Sequence, residues 1–377
     1  MTEKNVLLVT NMKEDGQYSM LRFGEILKYN LSKNHFNVDE LFPISKFQKL
    51  LKSSNTNKWG GYLDKYFLFP KRLLKFLQHK KNNFDLVHII DHSNSVYLPN
   101  ISGFPARKLI TCHDLIAIRT ATGDFPEAPV TSYTGKRLQK WIKDSLPLAD
   151  FFACDCSQTK MDLNQIIPTS IGQSEVIHLG VENQKQNFNK KNITLPFDPK
   201  TTSYLLHVGS AAWYKNRGAL VKAFKNLEEQ TSVPRTKLVL VGPNIQDTEV
   251  CPETLKWLKE NQNKVATINH ASEQELHFLY KNANVFLFPS LIEGFGWPPL
   301  EASSHGCPVI TTRTGAISKI LGDSAVYIDP NNQEQLNHAL IDSLKIKNNK
   351  PFHPSIPSAE ECVFNYAKLY DKLIRNS

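Results

Sequence analysis

The sequence predicts an α/β protein of two domains, each a parallel sheet flanked by helices. Three observations carry that expectation: 377 residues, short β-branched runs alternating with longer amphipathic stretches, and a weakly patterned segment between two such series. That length suffices for two domains that each bury a core. In the first series Val6–Thr10, Leu86–Ile90, Lys108–Thr111, Phe151–Cys154 and Glu175–His178 read as buried strands. Tyr18–Leu31, Ser132–Ser145 and Gln158–Ile166 read as helices between them. In the second, the strands are Tyr204–Val208, Lys237–Val241, Val265–Ile268, Val285–Phe288, Val309–Thr312 and Ala325–Ile328. Its helices are Arg217–Gln230, Pro252–Asn261, Ser272–Lys281 and Pro298–His305. Each series is Rossmann-like. Domains 1–182 and 203–350 are joined by a linker, 183–202, rich in Asn, Lys and Pro. Residues 351–377 add a closing helix able to return to the first domain.

Composition excludes several classes. A chain 41% hydrophobic and 10% aromatic is neither disordered nor fibrous. The opening apolar run is too short for a signal peptide, and nothing approaches the roughly 20 apolar residues of a membrane span. A cytoplasmic location is expected. The six cysteines are scattered without a CxxC, and Cys154-Asp155-Cys156 is too tight for zinc, so reduced, buried thiols are expected. No two aspartates stand at i, i+2, which leaves no Asp-x-Asp pair to hold a divalent cation against a diphosphate. Neither GxGxxG nor a P-loop is present, so plain NAD and ATP readings lose support. No metal and no resident cofactor are expected.

The net charge of +9 is local. Between Lys46 and Lys81 stand ten Lys/Arg and one acid, Asp64, which equals the whole excess. Aromatic and aliphatic residues interleave with these cations. Three readings stay open: a core-facing helix with a solvated basic side, peripheral contact of residues 46–81 with an anionic membrane, or a site for an anionic acceptor. In the membrane reading, Leu73, Leu74, Phe76 and Leu77 form the face that meets lipid. No nucleic-acid module surrounds the segment, so nucleic acid is not expected as a partner.

The chemistry is concentrated between Val285 and Ile310. There a strand, a loop Glu293-Gly294-Phe295-Gly296 and a short helix follow one another. Pro298 and Pro299 suit a first helical turn, and Gly306 with Pro308 suits its end. The glycines let the backbone approach a ligand, and the loop amides with the helix N-terminus favour a phosphate. Glu293 and Glu301 bracket that cradle. Carboxylates repel phosphate but accept well from sugar hydroxyls, so the arrangement fits a nucleotide-sugar.

This segment resembles the E-x7-E signature of the family 4 retaining glycosyltransferases. The likeness continues through His207-Val-Gly209-Ser210 to Lys215 and Arg217, Leu240-Val-Gly242-Pro243, and the Ser272-Glu-Gln-Glu275-Leu-x-x-x-Tyr280 helix, itself a capping box. Gly315-Ala316 and Gly322 to Pro330 complete about 130 residues in family order. The resemblance implies the GT-B fold, two facing Rossmann-like domains. It implies that Glu301 binds the donor ribose, with Leu300 beside it, and that Glu293 contacts the transferred hexose. The amides of Gly294, Phe295 and Gly296, with Gly209, Ser210 and Lys215, would hold sugar and phosphates. Many relatives carry Arg at the place of Ser210, and Arg217 would supply the second positive charge. His113, after the strand Leu109–Cys112, would stand near the reacting centre in an orienting, electrostatic role. Gly16 occupies the place of a family glycine loop near the diphosphate. Lys319 stands where relatives often have Glu.

The expected function is thus a retaining, metal-independent transfer of a hexose from a nucleotide-diphosphate sugar, a co-substrate, to a hydroxyl acceptor. A non-catalytic sugar-nucleotide-binding protein of the same fold is the alternative, drawn from Ser210 and the thin glycine loop.

Overall fold

The computed structural model describes residues 4–50, 54–79, 84–182, 195–230, 236–245, 249–345 and 355–375. Most of the expected linker (183–194), the boundary near residue 350, and Lys52, Lys80 and Lys81 lie outside that set.

The first sheet contains β1 (Lys4–Val9), β2 (Phe36–Leu41), β3 (Leu86–Ile89), β4 (Arg107–Cys112), β5 (Phe151–Cys154) and β6 (Ser174–Val176). Their order is β2-β1-β3-β4-β5-β6, and the pairings are parallel. The second sheet contains β7 (Tyr204–Val208), β8 (Lys237–Val241), β9 (Val265–Ile268), β10 (Val285–Phe288), β11 (Val309–Thr311) and β12 (Ala325–Tyr327). It is parallel too, in the order β12-β11-β10-β7-β8-β9. Strands buried on both faces carry unbroken apolar runs. Val285-Phe-Leu-Phe of β10 and Phe151-Phe-Ala-Cys of β5 are wholly buried, as their composition requires.

In each sheet the order reverses beside the first strand, between β1 and β3 and between β7 and β10. Ligands of open parallel sheets bind at such switch points, beyond the strands' carboxyl ends. The loops after β7 and β10 are Gly209–Asn216 and Pro289–Gly296, the segments singled out from sequence.

The chain divides into Met1–Gly180 with Ala359–Ser377, and Val181–Ser358. The crossing thus falls at Gly180/Val181, just ahead of the expected linker, because Val181 pairs with Ser358 and donates to the carbonyl of Pro357 at 2.9 Å. The closing helix Ala359–Arg375 joins the first unit and buries Val363, Tyr366, Leu369 and Tyr370. Tyr370 and Thr111 hydroxyls bond the two ring nitrogens of His88 at 2.6 and 2.8 Å, and the Tyr366 hydroxyl bonds Thr111 at 2.9 Å. A histidine in the middle of a buried strand is thereby satisfied. Burial, then the neighbouring His113, depresses the pKa of His88 to about 3, so it is neutral.

Two elements escape the sequence reading. β2 reads Phe-Asn-Val-Asp-Glu-Leu and is an edge strand with only its ends buried. The basic segment forms a short helix Phe47–Leu50 and a continuous run of Ser54–Leu63, a π-helical stretch Asp64–Leu68, and Phe69–His79. Its single acid is structural. The buried Asp64 carboxylate accepts from the amides of Lys46, Phe47 and Gln48 at 2.9–3.1 Å and so caps the short helix. Phe69, Leu73 and Leu77 enter the core of the first unit. Leu73 and Leu77 therefore cannot meet lipid, which corrects the face expected for the membrane reading.

Candidate active site

The second unit assembles its site from two loops. After β7 a 3-10 turn, Trp213–Lys215, ends at Asn216 in a left-handed conformation (φ 52°), and the Asn216 side-chain Nδ2 donates to the Pro330 carbonyl. The amide of Leu291 donates to the Tyr214 carbonyl at 2.8 Å, tying the loop after β10 to the loop after β7. Across this joint the Lys215 ammonium meets Glu293 Oε1 at 2.7 Å, with side-chain exposures of 13% and 7%. The ammonium also lies 4.9 Å above the Phe288 ring. Two residues separated by 78 positions thus converge at the switch point. Chemically, this is a positive charge held ready by a carboxylate that a stronger anion could replace.

The glycine loop is shaped by close approach. Gly296 has φ 84° and serves as N-cap of the helix Trp297–Ser304, with prolines in the first turn as expected. A Cβ on Gly296 would stand 2.4 Å from Ile317, and one on Gly315 (φ 59°) would stand 2.2 Å from the Gly294 carbonyl oxygen. The Gly315-Ala316 turn therefore holds the cradle from outside. Gly294, Phe295 and Gly296 are buried together.

Glu301 lies one turn into the helix, 8% exposed, and accepts from the Tyr280 hydroxyl at 3.1 Å. Tyr280 is delivered by the helix Glu273–Asn282, whose N-terminus carries the expected Ser272–Glu275 capping box. A local signal thus fixes the orientation of a carboxylate 21 residues later. Behind it His305 bonds the Glu301 carbonyl through Nδ1 (2.7 Å) and His277 through Nε2 (2.9 Å). Tyr280 closes the Ser272–Tyr280 pattern of the sequence, and its spacing to Glu301 becomes meaningful only once the two helices pack.

Three of the expected donor ligands are engaged within the fold. Arg217 is buried: its Nε and Nη2 bond Glu249 at 2.8 and 2.6 Å, while Nη1 and Nη2 donate to the carbonyls of Pro243 and Asn244. That corrects its expected role, since the guanidinium is neutralised inside the fold rather than offered to a diphosphate. Leu300 is wholly buried in the helix Trp297–Ser304. Gly209 is a packing glycine: a Cβ there would meet the His207 ring at 2.8 Å, and its carbonyl approaches Gly242 closely. Ser210 beside it is exposed.

In the first unit, His113 follows β4 and Asp155 follows β5, whose last residues Cys112 and Cys154 are partners in register. His113 Nδ1 bonds Asp155 Oδ2 at 2.7 Å, and Nε2 donates to the Ile90 carbonyl at 2.8 Å. Burial opposes the charge on this ring, but Asp155 first, then Asp91 and the Ile90 carbonyl, outweigh it and raise the pKa to about 9. The ring is a buried cation with both nitrogens engaged. A proton-accepting role would first require breaking one of those bonds. Gly16, exposed at φ 69°, closes the 3-10 turn Lys13–Asp15 after β1. Beside it Asn11 bonds Gln17 and Asp91, and Asn94 bonds Asn11, so the first switch point is also polar.

These histidines set a pH dependence of stability. The unfolded value of about 6.5 lies below that of folded His113 and above that of folded His88 and of His207, which burial holds near 4. The stability from His113 is complete below about pH 6.5 and is lost as pH rises through 9. That from neutral His88 and His207 is complete above about pH 6.5 and is lost as pH falls toward 4 and 3. Melting temperatures measured across pH should fall on both sides. In His113→Gln the alkaline decline should flatten, and an unchanged decline would refute the assignment.

Two doubly wound parallel units of this kind define the GT-B architecture. The solved sucrose-phosphate synthase from Thermosynechococcus elongatus aligns over 99% of this chain and 100% of its own, with TM-score 0.70 and 17% identity. A glycosyltransferase from Rickettsia africae aligns over 100% of both chains at TM-score 0.64 and 16% identity. In sequence, residues 189–353 match the family model of the group 1 glycosyl transferases. The chain is 28% identical to the O-antigen chain mannosyltransferase B of Escherichia coli over 142 residues, 38% of this chain and 37% of that protein. It is 22% identical to the D-inositol 3-phosphate glycosyltransferase of Corynebacterium glutamicum over 295 residues, 73% and 66% of the two chains. The matched span is thus under two thirds of these relatives' lengths. The family model lies in the second unit, the longer match to the Corynebacterium protein extends into the first, and the solved structures share the fold of both.

Proposed function

We propose that the protein is a retaining, metal-independent glycosyltransferase that moves a hexose from a nucleotide-diphosphate sugar to an acceptor hydroxyl. The observation that carries this reading is the Lys215–Glu293 pair at the second switch point, joined to the glycine cradle and Glu301. In this reading Glu301 accepts from the donor ribose and Glu293 from the hexose. The cradle amides and Lys215 hold the diphosphate. During transfer the bond between the anomeric carbon and the diphosphate oxygen breaks, with its electron pair leaving on the nucleotide. The acceptor oxygen bonds that carbon, and its proton passes to the released phosphate or to water. Lys215 stabilises the charge that develops on the leaving group, the work a metal ion does in enzymes with an Asp-x-Asp pair. His113 keeps the orienting, electrostatic role that the family resemblance implies.

Support for metal independence comes from the sequence, which lacks that aspartate pair. The relatives named above are mannosyl- and other glycosyltransferases, in keeping with a hexose donor. The reading keeps the cytoplasmic location expected from sequence and includes peripheral contact with an anionic membrane through residues 46–81. Among the described residues no helix is long and apolar enough to cross a membrane. With UDP-, GDP- and ADP-sugars and EDTA present, at least one donor should release its nucleoside diphosphate. Release that vanishes with EDTA and returns with a divalent cation would contradict metal independence. The non-catalytic alternative is favoured by Ser210 and by the engaged nitrogens of His113; tight donor binding without release, on any acceptor, would establish it.

A further inference from the structure

Of the sixteen exposed large hydrophobic side chains among the described residues, six lie between Ile44 and Phe67. They are Ile44, Phe47, Leu50, Trp59, Leu63 and Phe67, with exposures from 41% to 72%. Singly exposed apolar residues are ordinary, whereas a concentration like this marks a contact surface. The backbone draws them together. The short helix Phe47–Leu50 lies against Gly60, where a Cβ would stand 2.8 Å from the Phe47 carbonyl.

The helix itself is arranged to keep the stripe straight. Side chains four apart drift by roughly 40° per step on an α-helix of 3.6 residues per turn. Trp59, Leu63 and Phe67 would therefore spiral away. The π-helical stretch Asp64–Leu68 winds more slowly, which offsets that drift. Lys71 continues the line, its ammonium 3.9 Å above the Phe67 ring. Lys71, Arg72 and Lys75 are exposed on the next turns, and Lys46 and Lys49 on the short helix. The opposite side of the run is fixed to the core through Phe69, Leu73 and Leu77, and through Tyr66, whose ring lies 5.4 Å from Trp141.

We infer that Trp59, Leu63 and Phe67, with the Ile44–Leu50 turn, enter the interfacial layer of an anionic bilayer while Lys71, Arg72 and Lys75 rest on its headgroups. The inference rests on the peripheral contact proposed above and names what enters the lipid. Charge decides the occupant: apolar tips flanked by cations on one face complement a surface that is apolar within and negative outside. An exposed tryptophan at the edge of the stripe suits the bilayer interface. A soluble saccharide or a second copy of the chain would need no such surplus of positive charge.

Flotation of the full chain with vesicles of phosphatidylcholine, with and without 30 mol% phosphatidylglycerol, tests both levels. Wild type should float at least tenfold better with the anionic vesicles, and its tryptophan emission should shift to the blue. Trp59→Ser/Leu63→Ser/Phe67→Ser should lose both while keeping the wild-type melting temperature and nucleotide binding. Trp59→Phe alone should float but lose most of the blue shift. K71Q/R72Q/K75Q should weaken binding and reduce its dependence on salt. If wild type binds neither vesicle, the peripheral contact falls together with this inference. If it binds anionic vesicles and the triple serine variant binds equally well, the contact stands and the inference is overturned.

Discussion

Replacing Lys215 by Met lowers donor turnover by about 10²–10³-fold, the scale for removing one placed charge from a transition state. The same change leaves Glu293 at 7% exposure without the cation that meets it at 2.7 Å. Loss of a charge-assisted bond in that setting costs about 2 kcal/mol. Both effects are therefore expected in one variant, and they separate on adding Glu293→Gln. The double variant Lys215→Met/Glu293→Gln removes the stranded charge and recovers most of the melting temperature, while turnover stays low. A double-mutant cycle on stability and on turnover measures this. Recovery of turnover with stability would mean that the pair only holds two loops together.

The second large effect is expected at Gly315, a residue with no donor contact assigned to it. Its φ of 59° already disfavours a side chain, and an added Cβ would stand 2.2 Å from the Gly294 oxygen and 2.9 Å from that of Glu293. These are backbone atoms of the cradle and cannot swing aside. Gly315→Ala should destabilise by about 3 kcal/mol or more and weaken donor binding at least tenfold. Gly123 offers the comparison: its φ is 88° but an added Cβ meets nothing within 4 Å. Gly123→Ala should cost only the about 1–2 kcal/mol of a left-handed conformation and leave donor binding unchanged. Equal donor affinities in the two variants would show that the cradle tolerates displacement.

The parallel sheets were legible because a strand buried on both faces must be apolar throughout, and Val285-Phe-Leu-Phe can hardly be read otherwise. The same logic hides β2, whose Asn37, Asp39 and Glu40 belong to a half-solvated edge. The glycine loop was legible from the coincidence of two acids, two glycines and two prolines. Arg217 was not, because its neutralising partner Glu249 lies 32 residues away after another strand. The His113–Asp155 pair is hidden for a similar reason. Register between β4 and β5 brings them together, and a strand-end Asp beside a strand-end His was the available signal. In the basic segment, the periodicity of Leu73, Leu74 and Leu77 was correctly amphipathic, but that face packs on the protein's own core. The exposed stripe depends on a π-turn, for which the local sequence carries no distinct mark.

We propose that the second unit holds a nucleoside diphosphate between Lys215, the glycine cradle and Glu301. Titrating UDP, GDP and ADP into the full chain in EDTA, by calorimetry, tests it most directly. At least one should bind, and Lys215→Met and Glu301→Gln should each weaken it tenfold or more with the fold intact. Binding of none of the three, or binding that both variants leave unchanged, would mean that these residues form no nucleotide site.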